Sequence, residues 1–129
     1  FRKADKAVLL GARSFWEGVD VPGPALSVLV IARLPFDVPS DPIALARRER
    51  FEHPFLDYSV PEAALRFRQG FGRLIRSCTD RGVVVVFDRR IISKGYGRLF
   101  QDSLPGCQVR KGKLSILPEE AVKWIDGRE

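Results

Sequence analysis

The chain has 129 residues, 45% of them hydrophobic and 29% charged, which is enough for one folded domain or a piece of one and excludes a disordered tail. Two cysteines, Cys78 and Cys107, and one histidine, His53, exclude a disulfide framework and a zinc site. No apolar run approaches a membrane span, so a soluble, cytoplasmic protein is expected; the net charge of +6 suits a polyphosphate partner without selecting one.

In chain order, three short apolar runs predict buried strands: Val8-Leu9-Leu10, Leu26 to Ala32 and Val83 to Phe87. Hydrophobicity that is continuous rather than alternating marks parallel strands covered on both faces, and the segments between them are long enough for crossover helices. The first helix is predicted over Ile43 to Glu52, with Ser40 or Asp41 as N-cap and Pro42 in its first turn. Ser59-Val60-Pro61-Glu62 has capping-box spacing and predicts a second helix running to about Ser77. A third, Ile91 to Ser103, is interrupted by Gly95 and Gly97 and ended by Pro105-Gly106. Gln108 to Arg110 and Lys113 to Leu117 flank Lys111-Gly112 as a hairpin, and Pro118-Glu119-Glu120 starts a terminal helix ending near Gly127. The fold class is α/β, a mostly parallel sheet flanked by helices. The chain enters its first strand almost at once, so it reads as the later part of a larger domain.

The second helix is the most informative stretch. At 100° per residue, Ala63, Phe67, Phe71 and Leu74, with Ala64 and Ile75 at the edge, form an apolar face. Arg66, Gln69, Arg73 and Arg76 align on the opposite side as a cationic rail, and Gly70 and Gly72 each cost about 1 kcal/mol relative to alanine in a helix. One account is a solvated polar face. The other is phosphate binding, since planar guanidinium forks match phosphate oxygens and a helical glycine permits close approach of a ligand. The second concentrated stretch, Gly11 to Gly23, leaves the carboxyl end of the first predicted strand, where open α/β sheets bind ligands. A tight turn with Trp16 in the core explains it equally well. No lysine-bearing phosphate loop, nucleophile elbow or histidine pair is present. His53 before Pro54 reads as a surface or cap residue, and Arg89, Arg90 and Lys94 as a solvated charge run or backbone contacts.

SFWEGVDVPG, from Ser14 to Gly23, and QGFGRLIRS, from Gln69 to Ser77, resemble motifs V and VI of the superfamily 2 DNA helicases of the DinG and XPD type. Arg33 to Pro42 resembles the connection after the motif V strand, and Val83 to Pro105 the segment after motif VI; the last two dozen residues match poorly. The resemblance implies a partial RecA-like domain, the C-terminal part of the second motor domain, over residues 1–129. It places Gln69, Gly72, Arg73 and Arg76 on the phosphates of ATP, with Arg73 and Arg76 catalytic and Arg76 as arginine finger. Asp20 is implied to contact the nucleotide ribose or couple it to DNA, with Glu17 and Gly18 shaping that ATP-binding loop, and Ser14, Trp16, Arg33 and Phe36 are the candidates for nucleic acid, Trp16 or Phe36 by stacking.

The lysine loop, the acidic motif that holds Mg2+ and the cysteines of an iron–sulfur cluster belong, by this resemblance, to the first motor domain or elsewhere in the full-length protein; two cysteines cannot supply four ligands. Its implied partners are single-stranded or forked DNA, moved along 5′ to 3′, and the N-terminal helicase domain of the same protein, with nucleoid association, no membrane partner, and homodimerisation of the fragment through an open sheet edge. The isolated chain is expected to hydrolyse no ATP. A non-catalytic nucleic-acid-binding module or degenerate helicase remnant is the alternative, and a nuclease-linked relative a third.

Overall fold

The structure, a computed structural model, describes residues 6–12, 26–75 and 80–127. Two of the apolar runs form strands, β1 (Val28–Ile31) and β2 (Val83–Val86). They pair in parallel from Val28 opposite Val83 to Ile31 opposite Val86. Between them lie α1 (Pro42–Arg48), a π-helical turn (Phe55–Ser59) and α2 (Val60–Leu74). After β2 come α3 (Arg90–Ser93), α4 (Gly97–Asp102), a single 3-10 turn (Leu114–Ile116) and α5 (Leu117–Ile125). Gly127, with φ of +68°, follows α5 in the left-handed conformation that helix ends favour. No helix among the described residues is long and apolar enough to cross a membrane.

The core forms where α2 crosses the sheet. Ile31 and Leu34 pack against Val60, Ala63, Ala64 and Phe67, and Phe100 of α4 closes the cluster. The Phe67 and Phe100 rings meet edge to face at 5.6 Å, a favoured aromatic geometry. Leu29 and Ile31 turn toward α2, whereas Val28 and Val30, on the other pleat of β1, remain 38% and 52% exposed. β2 is covered better: Val84 and Val86 join the core and Val85 is buried on the opposite face. The result is a partial RecA-like α/β domain.

Four sequence expectations are corrected. Val8, Leu9 and Leu10 form no strand, and Val8 and Leu10 are 88% and 86% exposed. Apolarity makes a strand only where a ladder partner is available, and β1 and β2 pair with each other. Ser59 caps nothing: it has helical dihedrals and makes no side-chain cap bond, because the helical path begins upstream in the π-helical turn. There the Asp57 carboxylate accepts from the His53 N–H at 3.1 Å. α2 stops at Leu74, short of the expected end near Ser77, since Ile75 is extended (φ −112°, ψ 110°); Arg76 lies outside the described residues. The hairpin is replaced by the 3-10 turn running into α5, where Pro118 in the first turn favours a helix start.

Two readings gain detail. α1 is capped by Asp41, whose Oδ1 accepts from the N–H groups of Ile43 (2.9 Å) and Ala44 (3.3 Å). The third helix is split into α3 and α4, and a Cβ on Gly97 would run into the Ile91 carbonyl. A glycine is needed for the two short helices to pack this tightly.

Candidate functional site

Rotation of α2 is fixed by its buried stripe, Val60, Ala63, Phe67, Gly70, Phe71 and Leu74. That leaves Gln69 and Gly72 exposed and Arg73 half-buried on the other side, near the helix C-terminus. A cation there also complements the partial negative charge of the helix end. The glycines differ in role. Gly70 is buried in the packed stripe, while around Gly72, among the described residues and apart from its own turn of helix, nothing would lie within 4 Å of an added Cβ. Gly72 therefore leaves open space on the face that also carries Gln69.

Arg66 is bound within the chain. Its Nη1 donates to Asp37 Oδ1 at 2.8 Å and to the Pro35 carbonyl at 3.5 Å, and its Nη2 lies 3.6 Å from Glu62. This guanidinium ties α2 to the segment leaving β1, and its fork is occupied within the chain.

The carboxyl ends of the two strands are clasped by Asp88. Its Oδ2 accepts from the Leu34 N–H at 2.9 Å, just beyond β1, and its carboxylate takes the Arg90 side chain through Nε (2.9 Å to Oδ1) and Nη2 (2.6 Å to Oδ2). The Arg90 guanidinium first, then the backbone N–H groups of Leu34 and Arg90, hold the Asp88 carboxyl well below the usual carboxylate range against the opposing effect of burial. The same pairing raises Arg90. Sequence reasoning missed this clasp; its one signal is an acid directly after an apolar run, at Phe87-Asp88.

Arg33 is exposed in the turn between β1 and the clasp. Phe36 sits in an aromatic cluster: it stacks on Phe55 (5.7 Å, 18°), meets Tyr96 and Phe100 edge-on (5.8 Å each), and has the Arg90 guanidinium 5.2 Å from its ring centre. Ser14, Trp16, Glu17, Gly18, Asp20, Arg76 and Cys78 lie outside the described residues. The structure thus brings Gln69, Gly72 and Arg73 together on one helix. Among the described residues no group of three or more His, Cys, Asp or Glu side chains is placed to hold a metal ion.

A family model described as the helicase C-terminal domain matches residues 1–107. Over 113 residues, 84% of this chain and 12% of the relative, the sequence is 49% identical to the 3'-5' exonuclease DinG of Bacillus subtilis. It is 49% identical over 109 residues to the ATP-dependent DNA helicase YoaA of Haemophilus influenzae, covering 81% of the chain and 17% of that protein. It is 47% identical over 107 residues to the ATP-dependent helicase DinG of Mycobacterium tuberculosis, covering 79% and 16%. The chain spans less than a fifth of the length of each of these relatives.

Proposed function

The chain belongs to the helicase C-terminal domain family, and from that membership we propose that it is the part of an ATP-dependent DNA helicase that completes the ATP site from the second motor domain. The observation that carries this reading is the exposed face of α2, where Gln69, the open space at Gly72 and Arg73 stand on a helix whose rotation is locked by the core. A planar guanidinium matches phosphate oxygens, and one placed at the γ-phosphate stabilises the charge that develops during phosphoryl transfer. Arg73 and, beyond the helix end, Arg76 are the cations assigned to that role, with Arg76 as the finger. Asp20, Glu17 and Gly18 are assigned to the nucleotide from the motif V loop.

ATP would be held mainly by the first motor domain. The donor set on α2 fits phosphate and not a cation, so the ligands for Mg2+ would come from that domain as well. Closure of the two domains on ATP, and release after hydrolysis, would move the surfaces that grip single-stranded DNA in the 5′ to 3′ direction. Arg33, Ser14 and Trp16 are the residues assigned to that grip. Phe36 is better explained by its partners in the aromatic cluster. An iron–sulfur cluster would have to draw on cysteines other than the two of this chain. The name of the Bacillus subtilis relative raises a nuclease reading for the whole protein, of which this chain matches 12%.

The test is ATP hydrolysis, with and without single-stranded DNA, by this chain alone and mixed with the separately produced first motor domain of the same protein. Turnover by the mixture only, abolished by Arg76→Ala and strongly reduced by Arg73→Ala, is expected. A folded, associated mixture that stays inactive would remove the arginines from catalysis and favour a binding module.

A further inference from the structure

Away from the α2 face, the break between α3 and α4 opens onto a groove of about 440 Å³. Lys94, Arg98 and Lys111 line it, with Asp102 as the one carboxylate, and Gly95 leaves part of its wall bare. These cations come from three segments: the end of α3, the first turn of α4 and the stretch before the 3-10 turn. Folding has therefore gathered like charges that repel one another, an arrangement favoured when an anion spans them.

The cations stand on fixed supports. The Lys94 N–H donates to the Arg90 carbonyl at 3.2 Å, and the Lys94 carbonyl accepts from the Gly97 N–H at 2.9 Å. The Gln101 side-chain amide donates to the Ile91 carbonyl at 3.0 Å, binding α4 to α3 beneath the groove. Lys111 follows Arg110, which is anchored to Glu120 of α5. Arg98 and Asp102 approach to only 3.5 Å on exposed side chains, a contact weak enough to be exchanged for another anion.

From this arrangement we infer that the groove of Lys94, Arg98 and Lys111 is a second contact for the phosphodiester backbone of single-stranded DNA, separate from the α2 face and the motif V loop. The occupant's chemistry follows from the lining. Three exposed cations recognise phosphate, and the absence of an aromatic ring or enclosed apolar pocket among the lining residues leaves nothing to hold a base, as a free nucleotide would require. The inference rests on the DNA-binding part of the proposed function, but its readout does not involve ATP.

The test is fluorescence anisotropy of a labelled oligothymidylate of about 20 nucleotides with this chain over about 50–200 mM NaCl. Lys94→Ala/Lys111→Ala is expected to weaken binding roughly tenfold at the low-salt end and to flatten the salt dependence by about 0.7 per lysine lost. Lys94→Arg/Lys111→Arg should bind as the unaltered chain does. Arg48→Ala/Arg50→Ala, which removes equal charge from the end of α1, outside the groove lining, should change affinity by less than about twofold, since charges that touch no phosphate are screened. Absence of DNA binding by the unaltered chain, an unchanged groove variant, or equal loss in both alanine pairs would overturn the inference. So would displacement of DNA by inorganic tripolyphosphate at matched phosphate concentration, which would assign the groove to free polyphosphate. Loss of ATP turnover in the two-domain mixture would leave these anisotropy outcomes untouched.

Discussion

Arg66 and Asp37 form an ion pair at 2.8 Å in which both side chains are largely withdrawn from water, at 16% and 9% exposure. It joins the middle of α2 to the segment leaving β1, so a side chain that looks like one more member of a cationic rail serves to hold the helix on the sheet.

Arg66→Ala is therefore expected to lower stability by about 1–3 kcal/mol, the range for a partly buried charged hydrogen bond whose partner is left without its donor. Asp37→Ala should cost a similar amount and the double variant less than the sum of the two. Denaturant melts of the three variants check this. At temperatures where the variant remains folded, Arg66→Ala should retain ATP turnover in the two-domain mixture, whereas Arg73→Ala should not.

Asp88 gives the chain a dependence on acid. Because its carboxyl titrates below its unfolded value of about 3.9, its contribution is present at neutral pH and is lost only as the pH falls below about 4 toward the depressed folded value. Asp88→Asn should cost about 1.5–3 kcal/mol at pH 7 through the lost charge-assisted bonds, and the difference from wild type should shrink in melts carried down to about pH 3.

Gly72 and Gly97 should respond oppositely to alanine. At Gly72 there is room, and in a helix interior the change stabilises by about 0.5–1 kcal/mol. If the space there admits a phosphate group, the same variant lowers ATP turnover in the two-domain mixture while melting later. Gly97→Ala places a methyl against the Ile91 carbonyl and should destabilise by about 1–3 kcal/mol.

The two helix starts separate in the same way. Asp41→Ala removes two cap bonds and should cost about 1 kcal/mol. Ser59→Ala removes no cap bond and should stay within about 0.5 kcal/mol of wild type. Thermal melting of both, side by side, decides which residue opens a helix.

Where local pattern and tertiary environment agree, the sequence is readable. Val28–Ile31 and Val83–Val86 are apolar and find each other, and the buried stripe of α2 follows from spacing alone. Val8 to Leu10 has the same composition and, among the described residues, no strand to pair with, so composition misleads there. Ser59 carries a cap signature, but the π-helical turn preceding it is already helical and Tyr58 and Ser59 are buried within that turn. On the site, the outward position of Gln69 and Arg73 is a local property and was legible. The Asp88 clasp joins residues 54 positions apart, and the aromatic cluster around Phe36 draws rings from four segments, so no short window contains either.

The pairing of Val28 with Val83 also bears on the order of folding. Fifty-five positions of chain must be looped before the first rung of the sheet can form, and that closure entropy opposes the ladder until other contacts offset it. The π-helical turn and α2 are made of near neighbours, and α2 buries its stripe against β1, so docking of this helix on the first strand shortens the effective loop that β2 must close. A rate-limiting step with α2 seated and β2 still unpaired follows from the topology, and substitutions in the α2–β1 contact, such as Phe67→Leu, should slow refolding more than equally destabilising changes in α5.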